Sequence, residues 1–455
     1  MPPEILSYIA QYLIEPHDED AISIVTLTHV CRYWRESIIS TPDIWTLISG
    51  KNEDMTAVCL QRAKAAPLEI TLYMPLSSTS PDIFAPYFQN TRNLVVYSIS
   101  TIEELMNVFP NFPQSMPTLQ SLELIGPQDT DWDQSTDPFE SFVPALERLR
   151  LTGIPLYPSL LGLKTLTEFT ISDSRFNLHL DTLLDFLEGN HSLERVDLQI
   201  YFTDLSLLES QRTTAMMNQL RYLSIDCSDK RDAKALISSI PPQRGAGLHI
   251  HLNDEHPTLS DFLPDVSAAH ISDPPSPTFF QLGHSPHTKH VILDGPSGKL
   301  SLYGSPLLEV SFADVAVFPL TNVREVRLQY RKGTTKTSFE PPVFDPSYFP
   351  ALDTLTVDCD VNVLRVLSDL LSNSPPSPSL KTIGFLNCDL SNHLMEKLAR
   401  FASERQNIPT STRLHRVQIV NRSGVFPSAA SIGKLREYVR IVEVRMENEF
   451  SRDLA

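Results

Sequence analysis

Leu119-Gln120-Ser121-Leu122-Glu123-Leu124 sets out the phrase on which the fold turns: apolar, two variable residues, apolar, one variable, apolar. It recurs as Leu146-x-x-Leu149-x-Leu151, Leu166-x-x-Phe169-x-Ile171, Leu193-x-x-Val196-x-Leu198 and Leu220-x-x-Leu223-x-Ile225. It returns as Val323-x-x-Val326-x-Leu328, Leu352-x-x-Leu355-x-Val357, Leu380-x-x-Ile383-x-Phe385 and Leu414-x-x-Val417-x-Ile419, while Leu94 and Leu248 mark degenerate copies. The alternation that closes each copy is a strand with one face buried. Helix-like stretches lie between copies, at Asp181–Glu188, Asp232–Ile240, Val361–Leu371 and Ser391–Gln406.

Within each run of neighbouring copies, first residues fall 20 to 34 apart, mostly 27 to 29. Both the core and its spacing resemble leucine-rich repeats, which run ~20–29 residues. The resemblance implies an α/β fold: a curved solenoid of parallel strands and helices with the strands on its inner face. Such a domain would cover residues 91–450. Prolines at 257, 264, 274, 275, 277 and 286 interrupt it, so 253–310 is expected to be a long irregular excursion or a set of atypical repeats.

Side chains between the buried positions of a copy point away from the core. That rule selects Arg148, Arg150, Arg195, Asp197, Tyr222, Asp226, His249, His251 and Arg327 as candidate substrate-binding residues. They are expected to form one continuous surface with a basic patch suited to an acidic or phosphorylated partner segment.

Upstream, Ile5, Leu6, Ile9 and Leu13 fall at helical spacing behind Pro2 and Pro3. A second helical stripe follows at Ile24, Leu27, Val30, Cys31, Trp34 and Ile38, then Thr41-Pro42-Asp43-Ile44-Trp45 opens a short turn with Thr41 as its expected cap. So small a helical unit has little core of its own and calls for a partner or neighbour. Met1-Pro2-Pro3-Glu4-Ile5, Val30-Cys31-Arg32-Tyr33-Trp34 and Ser40-Thr41-Pro42-Asp43-Ile44-Trp45 resemble, in register, the motifs of a fungal-type F-box. Met1 stands where that family has leucine. Cys59-Leu60-Gln61-Arg62 through Pro67-Leu68 resembles the continuation, with Cys59 in place of a tryptophan and Ala63 in place of a serine.

The resemblance implies a box over 1–48, a linker and first strand over 49–90, and then the repeats. It implies docking on a Skp-type adaptor, and through it a cullin–RING ubiquitin ligase, by Pro2, Ile5, Ile9, Leu13, Val30, Cys31 and Trp34. The chain would then be a non-catalytic substrate receptor. A scaffold acting outside any ligase is the alternative.

Composition narrows the classes. With 37 basic and 55 acidic residues the net charge is −18, which argues against generic nucleic-acid binding. No apolar run reaches the ~18 residues of a membrane span, and no secretion signal opens the chain. Five dispersed cysteines with no C-x-x-C pair fit a reducing cytoplasmic or nuclear compartment. Proline outnumbers glycine 36 to 15, which disfavours glycine-rich phosphate cradles, and Gly295-Pro296-Ser297-Gly298-Lys299 is too short to be one.

Enzyme motifs are missing, and no cofactor is implied. His249, His251 and His256 give a weaker hydrolase alternative, since the first two share one strand face. Asp129, Asp131, Asp133, Asp137 and Glu140 match a calcium loop in residue type, but Gln134 replaces its turn glycine, so a solvated acidic loop is expected.

Overall fold

The structure, a computed structural model, describes residues 5–6, 8–9, 22–75, 83–101, 103–104, 106, 116–127, 137, 139, 146–174, 180–200, 217, 219–227, 236, 239–240, 247–252, 279–284, 289–295, 298–304, 320–330, 346–359, 379–387, 392–407, 413–421 and 427–446. The chain is α/β, with a helical N-terminal segment followed by sheets of mainly parallel strands, and divides into two compact units, Met1–Leu220 and Arg221–Ala455.

In the first unit, helices α1 (Ile22–Thr28) and α2 (Arg32–Ser40) lead through a 3-10 turn, Pro42–Trp45, into β1 (Leu47–Ser49) and α3 (Glu53–Ala63). Strands β2 (Leu68–Tyr73), β3 (Thr91–Tyr97), β4 (Ser121–Ile125), β5 (Arg148–Thr152), β6 (Glu168–Ser174) and β7 (Arg195–Ile200) follow. All seven strands pair in chain order and in parallel. Register stacks Ile70, Leu94, Leu122, Leu149, Phe169 and Val196 in one row, and Leu72, Val96, Leu124, Leu151, Ile171 and Leu198 in the next. Every one of these side chains is buried, so the recurring phrase is a core-forming ladder. Helix α4 (Leu180–Gly189) lays Leu183, Leu184, Phe186 and Leu187 into the same core, with the Phe186 and Phe169 rings 4.6 Å apart.

The second unit contains β8 (Tyr222–Cys227), β9 (Gly247–Leu252), β10 (Phe279–His284), β11 (Lys289–Gly295), β12 (Gly298–Gly304), β13 (Glu325–Tyr330), β14 (Thr354–Cys359), β15 (Thr382–Leu386), α5 (Asn392–Gln406), β16 (Arg416–Asn421), α6 (Ala429–Arg436) and β17 (Ile441–Met446). From β13 to β17 the strands pair in order and in parallel. Part of the expected excursion continues the ladder instead: β9 pairs β12, β12 pairs β11, β11 pairs β10, and β10 pairs β13. Short connections force the two antiparallel steps, and Gly295 pairs Gly298 across a hairpin, which gives the Gly295–Lys299 stretch a structural role. Residues 253–278 lie outside the described set, as does Val361–Leu371.

A local device starts the strands. The first apolar residue of a copy donates its N–H to the carbonyl three residues back: Leu119 to Met116, Leu193 to Asn190, Leu220 to Met217, Val323 to Leu320 and Leu352 to Phe349. Those upstream side chains are also buried. In α5, the buried Arg405 donates from Nη2 to the Leu380 carbonyl at 2.8 Å, and desolvation pulls its pKa down to about 10.

Candidate functional site

Of the nine residues predicted for the sheet face, four fall in the first unit and five in the second. Arg148, Glu168 and Arg195 share one row, and Glu123, Arg150, Thr170 and Asp197 share the next. Arg150 Nε lies 3.4 Å from Glu123 Oε1. The expected basic patch is therefore a mixed surface, because the neighbouring strands place acids between its arginines.

In the second unit, Tyr222, Asp226, His249 and His251 form one cluster. Residues 226 and 251 pair directly across β8 and β9. His251 Nδ1 lies 3.0 Å from Asp226 Oδ2, and that hydrogen bond raises the imidazole pKa above its usual 6.5. The rings of Tyr222 and His249 sit 4.7 Å apart. Arg327 is four ladder steps from β9, roughly 19 Å at ~4.8 Å per strand, so it stands apart from this cluster.

Arg327 belongs to a polar group that the sequence alone did not single out. Its Nη2 lies 3.8 Å from Asp358 Oδ2, and Asp358 is only 5% exposed. Gln329 Nε2 donates to the same oxygen at 3.3 Å, and Asn387 Nδ2 to Asp358 Oδ1 at 2.9 Å. Two strands on, Arg416 Nη2 donates to both oxygens of Glu443 at 2.8 Å. Asp358 and Arg416 occupy outward positions of their copies, so the rule that selected Arg327 would have found them if applied to every copy.

Among the described residues, neither enzyme constellation is complete. Leu248 and Ile250 are buried while His249 and His251 face outward, as the alternation predicts, but His256 lies outside the described residues. Among the described residues, no three His, Cys, Asp or Glu side chains are placed to hold a metal ion. Of the acidic loop, Asp137 is described and already engaged. Its Oδ1 accepts from Phe139 N at 2.9 Å and Ser159 Oγ at 2.7 Å, and its Oδ2 accepts from Ser159 N at 2.8 Å.

The N-terminal segment presents a different surface. Ile5, Leu6, Tyr8 and Ile9 are helical; Leu6 is buried, Ile5 is 50% exposed and Tyr8 is 72% exposed. The second predicted stripe breaks into α1 and α2 at His29–Cys31, where Cys31 takes an extended backbone, φ −160° and ψ 171°. Ile24, Leu27 and Ile38 turn inward, while Val30 is 57% exposed and Cys31 is exposed. Trp34 and Ile9 are half-buried; Pro2 and Leu13 lie outside the described residues. Thr41 makes no side-chain cap on the following turn and donates its hydroxyl back to Ser37 O at 2.8 Å.

Residues 1–49 match the F-box-like family.

No curated protein matches the chain. Packing beneath the F-box-like segment explains its closing motif. Trp45 is fully buried, donates from Nε1 to Ile38 O at 2.9 Å, and carries the Arg62 guanidinium 4.2 Å above its ring. The segment is thereby fixed to α3, where Cys59 and Leu60 are buried. Burial pushes the Cys59 thiol pKa up to about 11. Val25, Val30 and Tyr33 of the same F-box-like segment are exposed.

Proposed function

We propose that this chain is the substrate-receptor subunit of a Skp–cullin–F-box ubiquitin ligase. The F-box-like segment docks on a Skp-type adaptor through Pro2, Ile5, Ile9, Leu13, Val30, Cys31 and Trp34. The parallel ladders are leucine-rich repeats forming a curved solenoid, whose outward strand face holds a protein destined for ubiquitin transfer. Tethering raises the local concentration of substrate lysines near the conjugating enzyme, and no catalytic group is needed in this chain.

One observation carries the reading. Of the seven large hydrophobic residues exposed among those described, six (Ile5, Tyr8, Val25, Val30, Tyr33 and Ile39) lie inside the F-box-like match. Apolar side chains gathered on short helices and left in water are what a partner's apolar grooves cover. Affinity purification from cells under ligase inhibition tests it. The chain should bring down a Skp-type adaptor, a cullin and trapped partners whose turnover depends on cullin neddylation. Partners whose turnover ignores neddylation would instead make it a scaffold outside any ligase.

A further inference from the structure

Strand β17 closes the ladder of the second unit with one side open. It pairs β16 in an unbroken parallel register, and no other strand among those described pairs it. The Ile441 N–H points to β16, donating to His415 O at 2.9 Å. Backbone groups alternate along a strand, so Val442 and Val444 turn their N–H and C=O groups to the open side. An unpaired row of that kind is a template for another strand. Neither a proline nor a bulge, two common ways of blocking an edge, occurs in β17.

The core stops at the same place. Leu355, Ile383 and Val417 are buried in one row, and Val357, Phe385 and Ile419 in the next. Val442 and Val444 continue those two rows on β17, yet both are only half-buried. The first strand of the chain differs, for Ile48 of β1 is buried. A repeat array whose last copy exposes core positions calls for a cap or a neighbour.

Charge on the outward side selects that neighbour. Glu443 and Arg445 share the outward face of β17, with side chains 25% and 44% exposed. If β17 pairs antiparallel with a second β17 about a two-fold axis at Val444, each Glu443 faces Arg445 of the partner subunit. Those pairs fall at non-hydrogen-bonded positions, where side chains approach most closely. Moving the axis to Glu443 or to Arg445 sets like charges opposite each other, which is destabilising. Arg416 also donates to Glu443 from β16, and the lone pairs of one carboxylate accept both guanidiniums. The register partners of Glu443 and Arg445 on β16, Gln418 and Val420, carry no charge.

We infer that the open edge of β17 pairs with β17 of a second copy, joining two chains in one continuous sheet through a self-complementary interface. The outward strand faces of the two second units then lie on the same side of that sheet. The inference is independent of the adaptor and of the substrate surface proposed above.

Sedimentation of the purified full chain over a concentration series tests it. Six residues per strand make a small interface, so a monomer–dimer equilibrium with a Kd of roughly 1–100 μM is expected. Arg445→Glu should weaken it at least about 10-fold, since both attractive pairs become repulsive. Glu443→Lys should do the same alone, and an equimolar mixture of the two variants should restore a dimer, because each chain then meets opposite charges. Thermal unfolding that matches wild type shows that each variant is folded. Val444→Cys gives a second reading without a charge change, because counterparts in a hydrogen-bonded pair lie about 5.5 Å apart at Cα, within disulfide reach. Mild oxidation should yield a linked peptide joining the two Val444→Cys sites, identified by mass spectrometry, with far less linkage for Glu443→Cys or Arg445→Cys; this reading decides if Glu443→Lys does not fold. A wild-type chain monomeric throughout that concentration range, a dimer indifferent to Arg445→Glu, or no dimer in the mixture of folded variants overturns the inference. Linkage at Glu443→Cys or Arg445→Cys in preference to Val444→Cys overturns it as well.

Discussion

Replacing Trp45 by Phe should loosen the joint between the F-box-like segment and α3 by an amount the geometry sets. The indole N–H bond to Ile38 O is lost, a net effect of about 1 kcal/mol. Ile38 O keeps the Thr41 N–H at 3.2 Å, so no orphaned acceptor adds to it. Weakening the Arg62 contact removes a further ~0.5–1 kcal/mol, and the smaller ring leaves a partly filled space in a fully buried site. Together these come to roughly 2–3 kcal/mol, or an opening equilibrium about 30- to 150-fold larger. Cys59 reports that opening directly, because its thiol is 2% exposed on α3 and held protonated. Peptide-resolved mass spectrometry of alkylation at Cys59 in the full chain should show the acceleration, with exposed Cys31 labelled at an unchanged rate. Arg62→Met should account for only the cation–π part, and its effect should be sub-additive with Trp45→Phe. Cys59 alkylation unchanged by Trp45→Phe, or fully additive effects, would refute this account of the joint.

Gly153→Ala should be strongly destabilising at a buried turn. The residue has φ +64°, and a Cβ there would lie 2.6 Å from Gly126 O, so strain of ~1–2 kcal/mol adds to a backbone clash; thermal unfolding reads the loss. His251 gains its bond to Asp226 as the imidazolium, so its folded pKa is above the unfolded one. The stabilisation is complete below about pH 6.5 and fades as pH rises through the folded value; the stability gap between wild type and His251→Gln should shrink on going alkaline, followed by denaturation at several pH values. Asp137→Ala should lower the melting temperature by stripping three hydrogen bonds at Ser159 and Phe139, and added calcium or chelator should leave the wild-type midpoint where it is.

The ladder was legible because its signal is physical and repeated. A phrase whose last two apolar residues alternate must bury one face, and its recurrence at 27 to 29 residues fixes parallel neighbours. Strands β10 to β12 escaped because hairpin-connected strands carry no such interval; their apolar residues fall into the same rows only once the pairing is known. The break between α1 and α2 escaped for a different reason. Val30 and Cys31 continue a helical stripe in sequence, yet Cys31 is extended and both are turned to solvent. The sheet-face residues were placed on the correct side by alternation, but partners on adjacent strands, such as Glu123 for Arg150 and Asp358 for Arg327, depend on register. A chain read residue by residue therefore overstated a basic patch.

Binding of the purified full-length chain to a purified Skp-type adaptor, measured by calorimetry for wild type and for Ile9→Ala with Trp34→Ala, tests the central claim most directly. Truncated anchors of this kind each cost ~2–4 kcal/mol, so the account predicts a defined wild-type complex and none detectable for the double variant, with Cys59 still protected in both. No wild-type complex, or undiminished binding by the double variant, would contradict it.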